Sequence, residues 1–415
     1  VVNTVPYIET ERNIRMKWNW KLILMNSILV LSSVFFTYLL IEFFLFRILL
    51  PYSPLKLYGY IPEASRILAQ SSKKATFPKD YVALIGDSYA QGEGDWLRSA
   101  NISKNPDYHS AHVIYRQTGR DVISFGRSGA GSLNGIVCAP ISNYEYLKTT
   151  LLYKVQAPQD FIIYFYEGND LNDNLLSIRT LFDGKYDRNK IYDSGYFREF
   201  INKAVLPWDH LYKAKEGFRW YSNLFFARSL RAILFPKNKV HDEHAAPDIF
   251  TPGSVNKIML GQDIVDIPDG LQSPSLELTE DEITLSVYVF EQSLKYLKEY
   301  FPQSRIGVIY IPSPLSTYKL VSDQVDIETY EGRSKVYDRD LVKQRSDEIA
   351  ASIQTIAGKC HVSFEDARNE IDQYAQKELL HGPKDWNHFN QKGYTILATI
   401  AQRLLRKMGE ERFVK

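Results

Sequence analysis

Three residues far apart in the chain, Ser88, Asp385 and His388, are of the types from which an activated hydroxyl nucleophile is built. A serine hydroxyl attacks only when a base within hydrogen-bond reach takes its proton, and imidazole suits that task near neutral pH. The imidazole needs an acceptor on its other nitrogen, which fixes the tautomer and stabilises the imidazolium. In Asp385-Trp386-Asn387-His388 a carboxylate precedes the imidazole by three residues, so the two can orient as one unit across a single turn. Ser88 lies in Gly86-Asp87-Ser88, after an apolar run and before a helix-like stretch. There its Oγ would stand above a sheet edge, with helix N-terminal amides favouring negative charge nearby. Each piece alone has a plainer explanation: a Ser or Asp before a helix is commonly an N-cap, and an isolated D-x-x-H is commonly surface.

Two further loops carry groups able to donate hydrogen bonds to an oxyanion. Ser124-Phe125-Gly126-Arg127-Ser128-Gly129-Ala130-Gly131 is rich in glycines that let backbone N–H groups approach a ligand. Glu167-Gly168-Asn169-Asp170 places an amide side chain after another apolar run. Structural turns explain either loop on its own. Nucleophile, base, orienter and two kinds of oxyanion donor together are far more specific than any one of them.

The elements that must position these groups are legible as alternation. Tyr81–Ile85, Val122–Phe125, Phe161–Tyr166, Arg305–Ile311 and, more weakly, His361–Phe364 read as buried parallel strands. Thr279–Tyr300, with Thr279 and Glu282 forming a capping-box pattern, reads as a helix, as do Lys335–Ala357 and Gln391–Met408. Such alternation predicts a parallel sheet covered by helices on both faces. Ligands of such sheets sit outside the carboxyl ends of the strands, where all four loops would then lie. The stretch from about 172 to 274 shows no strand–helix unit; it predicts a partly helical insertion over the sheet's carboxyl edge.

In motif order the chain resembles the SGNH (GDSL-type) hydrolase superfamily. Gly86-Asp87-Ser88 matches the first block, Gly129 the glycine of the second, Gly168-Asn169-Asp170 the third, and Asp385 to His388 the fifth. The resemblance covers roughly Asp80 to Met408 without the insertion. It implies a flavodoxin-like three-layer α/β/α sandwich and hydrolysis or transfer of an acyl ester, with no metal or cofactor. Ser88, Asp385 and His388 would be catalytic, and the N–H groups of Ser88 and Gly129 with the Asn169 amide would form the oxyanion hole. The chain departs from the pattern at Ser124, where the second block often has Asn, and in lacking the Leu that leads the fifth. Glu167 adds a carboxylate that would be unfavourable if turned towards the oxyanion donors.

The N-terminal part reads differently. Leu22 to Leu50 is nearly all apolar, and Leu22–Ile41 alone has the length of a membrane-crossing helix. Arg12, Arg15, Lys17 and Lys21 precede it, with Trp18 and Trp20 at interface level, so the positive-inside rule predicts a cytoplasmic N-terminus and an exported body. The length of the apolar run and the absence of a small-residue cleavage pattern favour an uncleaved single-pass anchor. The expected organisation is a tail over 1–21, an anchor over 22–46, a connector over 47–79 with a short helix near Glu63–Gln70, and a body over 80–410.

Composition narrows the function classes. Fifty Lys plus Arg against 49 Asp plus Glu leave a formal charge of +1, without the basic footprint of a nucleic-acid binder. Cys138 and Cys360 are too few for a four-thiolate zinc site, and whether they pair depends on where the fold brings them. Gly126-Arg127-Ser128-Gly129-Ala130 misses the G-x-S-x-G nucleophile elbow by its last residue, and no G-x-G-x-x-G follows a strand. His109/His112 and His241/His244 lack a third ligand at helical spacing and read as solvated surface. Trp208, Trp220, Tyr221, Phe225 and Phe226 suit either a platform for sugar rings or a small core of the insertion. The expected substrate is an acylated carbohydrate or other ester, and the expected membrane partner is the bilayer itself. The alternatives are acyl transfer to a glycan and a tethered binding module without catalysis.

Overall fold

The computed structural model describes residues 19–42, 46–61, 63–105, 107, 109–149, 155–214, 230, 234 and 253–410. The chain forms two units, Val1–Arg47 and Ile48–Lys415. In the first, Trp20–Leu40 is a 21-residue helix, long and apolar enough to cross a membrane, and its apolar window has no buried residues. Asn19 caps it by accepting from Leu22 N at 3.4 Å.

The second unit is built on a five-stranded sheet, all parallel. Its strands are β1 (Val82–Ile85), β2 (Val122–Ser124), β3 (Asp160–Tyr166), β4 (Arg305–Ile311) and β5 (Ser363–Asp366). Their order across the sheet is β5-β4-β3-β1-β2, the doubly wound order in which the chain reverses direction beside β1. Val82 stands opposite both Val122 and Asp160, and Asp160 opposite Arg305. The near-continuous apolar runs follow from burial on both faces. On one face Leu84, Ile162, Tyr164 and Ile309 share a core with Leu397, Ile400 and Leu404 of the Gln391–Glu410 helix and Ile114 of the Ser110–Thr118 helix. On the other, Phe165 meets Phe290 of the Glu280–Tyr300 helix with ring centres 5.1 Å apart, and Tyr310 Oη lies 3.2 Å from Ser346 O of the Arg339–Lys359 helix. Each fully buried Ile or Phe here contributes about 1.5–3 kcal/mol. The expected capping box is present, with both Thr279 and Glu282 side chains engaged.

Several boundaries differ from the sequence reading. The helix expected from Lys335 starts at Arg339, because Ser334–Asp338 pairs antiparallel with Gln324–Glu328; Asp338 then caps the helix by accepting from Asp340 N at 2.8 Å. The last strand begins at Ser363 rather than His361, since His361 has φ +51° and closes the turn that ends the preceding helix. The described residues of the insertion up to Ala214 are largely helical. Phe182, Phe197 and Phe200 are fully buried and meet ring to ring, joining Ser194–Phe200 to the chain that follows Asp170–Ser177, while His210–Ala214 packs on the Ala139–Lys148 helix. The insertion's later part holds an antiparallel pair, Lys257–Leu260 with Asp263–Asp266, extended by Lys319–Leu320. Trp208 is exposed, whereas Trp220, Tyr221, Phe225 and Phe226 lie outside the described residues, as do His241 and His244.

Both cysteines are free thiols in buried positions, and burial pushes Cys138 up to about 12. His109 and His112 are also buried, against the expectation of a solvated loop. His109 caps the Ser110–Thr118 helix by accepting from Ala111 N at 3.1 Å, and His112 Nε2 lies 2.5 Å from Ser71 Oγ. Among the described residues no group of three or more His, Cys, Asp or Glu could hold a metal ion.

Candidate active site

Because the strands are parallel, the loops leaving β1, β2 and β3 all emerge along one edge of the sheet. Ser88 follows β1 directly and opens a single helical turn, Ser88–Gln91, so its side chain is carried to that edge. Asp87 is the cap of this turn: its Oδ1 accepts from Tyr89 N at 2.9 Å. The partner loop comes from the other end of the chain, and it is folded onto itself. Asn390 N donates to Leu380 O, Gly382 N donates to Asp385 O, and His381 bridges to Phe389.

Within this loop the two oxygens of Asp385 have separate tasks. Oδ1 accepts from the backbone N–H groups of Asn387 and His388, each at 3.1 Å, and so shapes the turn. Oδ2 lies 3.0 Å from His388 Nδ1 and 3.5 Å from Arg98 Nη2. His388 Nε2 lies 2.9 Å from Ser88 Oγ. The structure thus joins Ser88, His388 and Asp385 in one hydrogen-bonded line. The Ser88 hydroxyl also has Asp87 Oδ2 at 3.3 Å, a longer contact.

Charge fixes the direction of the protons along this line. Burial acts to raise the Asp385 carboxyl, but the His388 imidazole, its hydrogen bond and the Arg98 guanidinium outweigh it and hold the group at about 2. A carboxylate can only accept, so Nδ1 carries the hydrogen and Nε2 presents its lone pair to the Ser88 hydroxyl. For His388 itself burial acts to lower the pKa, yet Asp385 first, then Glu93 and Asp87, raise it above the ordinary 6.5.

The loops expected to supply oxyanion donors sit on the same edge without a direct hydrogen bond to this line. Gly129 is exposed in the loop after β2, and Asn169 follows β3. The N–H groups of Ser88 and Gly129 have no hydrogen-bond partner among the described residues. Asn169 stands at the N-cap of the Asp170–Ser177 helix, but its side chain does not cap it, and its Oδ1 is buried without a partner. Oδ1 can only accept, so it is the Nδ2 of this non-capping side chain that could donate to a ligand. Glu167 turns away from the edge: its carboxylate accepts from Tyr310 Oη, from Ser313 N and Oγ at 2.8 Å, and from Ser346 Oγ at 2.6 Å. Ser124 fastens the second loop to the first, donating to Ala90 O and accepting from Gly126 N at 3.2 Å.

Four supporting residues were not singled out from the sequence. Arg98 also donates to Lys384 O at 2.9 Å, so it grips both backbone and carboxylate of the Asp385 loop. Tyr89 donates to Asn387 O at 2.9 Å, and Asn387 Oδ1 accepts from Gln272 N at 3.1 Å, which pins the loop between the serine turn and the insertion. Glu93 places Oε2 4.0 Å from His388 Nε2. The only sequence signal for any of them was proximity, since Tyr89 and Glu93 follow Ser88 closely and Asn387 lies inside the D-x-x-H.

No family model matches the chain, and no curated protein matches it. Among solved structures it is similar to the crystal structure of LAE5, an alpha/beta hydrolase enzyme from the metagenome of Lake Arreo, Spain. The alignment covers 79% of this chain and 95% of that one at 10% identity, with a TM-score of 0.33. Overlap this loose carries no argument about either fold or activity. The class is defined by the strand order and loops above: an α/β protein with a five-stranded parallel sheet and a serine–histidine–aspartate line at its carboxyl edge.

Proposed function

We propose that the chain is a membrane-anchored, serine-dependent acyl-ester hydrolase of the SGNH type, with an exported body that acts on an O-acylated carbohydrate of the cell envelope. The observation that carries the reading is the pair of contacts Ser88 Oγ–His388 Nε2 at 2.9 Å and His388 Nδ1–Asp385 Oδ2 at 3.0 Å. Ser88 Oγ attacks the ester carbonyl carbon as its proton passes to His388 Nε2. The oxyanion is met by the N–H groups of Ser88 and Gly129 and by the Asn169 amide. The bond from carbon to the leaving oxygen then breaks, and that oxygen takes the proton from Nε2. A water attacks the acyl-serine, its proton goes to Nε2, and Ser88 Oγ regains a proton as the acyl group leaves as a carboxylic acid. The apolar Trp20–Leu40 helix supports the membrane part of the reading, and the exposed Trp208 ring of the insertion supports the carbohydrate part.

The test uses the full chain in detergent with p-nitrophenyl acetate and a fluorophosphonate probe. Wild type is expected to turn over the ester and to be labelled; Ser88→Ala is expected to lose both while keeping its melting temperature. Labelling at another serine, or turnover by Ser88→Ala, overturns the assignment. Mass spectrometry of surface glycans from cells carrying Ser88→Ala is expected to show added acyl groups. Loss of acyl groups would instead assign the same residues to acyl transfer.

A further inference from the structure

Glu93 is a carboxylate beside His388 that the relay does not use. Its side chain is 28% exposed, and it has no hydrogen-bond partner among the described residues; its ionic neighbour is His388 Nε2 at 4.0 Å. The position is built rather than incidental. Glu93 N donates to Ser88 O at 3.1 Å, and its carbonyl accepts from the buried Tyr394 hydroxyl at 2.5 Å. It stands between Gly92 and Gly94, at φ +90° and +126°. A Cβ on Gly92 would fall 2.2 Å from His109 Cβ, and one on Gly94 would fall 2.6 Å from Phe389 O and 3.0 Å from His388 Cβ. Gly92 thus lets the turn pass close to His109, and Gly94 lets the backbone press against the histidine loop, which together hold an acid near Nε2.

Nε2 is the atom that must return its proton to the departing alcohol, so the alcohol oxygen has to lie against it. A gap of 4.0 Å is too long for a direct hydrogen bond between Glu93 and the imidazole. Two hydroxyl oxygens on neighbouring carbons can instead lie side by side over this pair, one against Nε2 and the other against Oε2. Resting on the esterase reading, we infer that Glu93 forms the alcohol-side subsite and selects esters whose alcohol bears a second hydroxyl next to the reacting one, as polyols and sugars do. The carboxylate accepts that neighbouring hydroxyl, a charge-assisted bond made outside the proton relay.

The test compares three acetyl esters on the full chain in detergent: glycerol monoacetate, propyl acetate, which lacks the hydroxyls, and acetylcholine, whose alcohol is cationic. The reading is the ratio of kcat/KM between them, with fluorophosphonate labelling to report that each variant keeps a folded site. Wild type is expected to favour glycerol monoacetate over propyl acetate by about tenfold or more, as one hydrogen bond to a charged group allows. Glu93→Ala is expected to bring the ratio near one, and Glu93→Gln, a neutral acceptor, to fall between. A wild-type ratio near one, a ratio that survives in Glu93→Ala, or a preference for acetylcholine that Glu93→Ala abolishes each overturns the subsite. Turnover of none of the esters, with Ser88 unlabelled, overturns the esterase reading and the subsite with it.

Discussion

Two aspartates flank the Ser88 hydroxyl, both are buried, and their environments drive them in opposite directions. Asp385 sits below His388 with the Arg98 guanidinium 3.5 Å away, and these cations hold it at about 2 despite burial. Asp87 is fully buried under the serine turn; burial pushes it up to about 7, with Asp173 adding repulsion, while His388 and the Tyr89 N–H offset only part. Further along the same edge Asp170, buried and close to Asp87, is pushed well above the carboxylate range for the same reason. The comparison teaches how one edge keeps a charge where the chemistry needs it and suppresses charge nearby. An anion is stable in the interior only where a cation and N–H donors stand over it. Separated pKa values in neighbouring acids mark separate roles, here an electrostatic orienter and a geometric cap.

If that division is right, removing the charge at the two positions has very unequal effects. Asp385→Asn keeps the shape but presents an amide to His388 Nδ1 and loses the anion that stabilises the imidazolium; kcat on p-nitrophenyl acetate is expected to fall by about 10³–10⁴. A fall of less than tenfold would break the comparison outright. Asn169→Ala tests where the negative charge goes after attack. It is expected to lower kcat by about 10²–10³ with little change in KM, the loss typical of one oxyanion donor. An unchanged kcat removes Asn169 from the site.

The line of hydrogen bonds was readable from sequence because its members lie immediately after strands or three residues apart, where local geometry dictates direction. The sheet was readable because strands buried on both faces leave unbroken apolar runs such as Phe161–Tyr166. What escaped was decided by pairing at a distance. Ser334–Asp338 looks helical by composition and becomes a strand only because Gln324–Glu328 lies opposite. Lys257–Leu260 and Asp263–Asp266 likewise depend on each other. Arg98 and Asn387 matter through residues about 290 and 115 positions away, which no local pattern reports. The orientation of Glu167 could not be read either, since Tyr310, Ser313 and Ser346, brought in from other elements, draw its carboxylate away.

A smaller effect separates the two acids through His388. The imidazole must be neutral to act as base, so kcat/KM is expected to fall as pH drops through a pKa above the ordinary 6.5. Asp385, Glu93 and Asp87 all raise it, against burial, which lowers it. Asp87→Asn removes one of these anions, so its acid limb is expected at lower pH than that of wild type, with kcat/KM at pH 8 changed by less than about tenfold since the buried cap geometry survives. A limb that moves to higher pH would show that Asp87 acts on His388 in some way other than by its charge.

The smallest expected effect is on stability, and here the two positions should differ in sign. Asp87 rises from 3.8 to about 7 on folding, so between those values the folded protein holds a proton that the unfolded chain releases, and stability declines as pH climbs through that window. Asp87→Asn carries no such charge and its side-chain oxygen can still accept from Tyr89 N. The variant is therefore expected to melt higher than wild type at pH 8, with the gain shrinking as pH approaches 4. Asp385 falls from 3.8 to about 2, so its contribution is present above 3.8 and is lost as pH drops through 2. Asp385→Asn is therefore expected to melt lower than wild type at pH 8. Thermal melts of both variants in detergent across this range decide the matter. If both shift in the same direction at pH 8, their environments do not drive the two acids in opposite directions, and the electrostatic account of this edge fails.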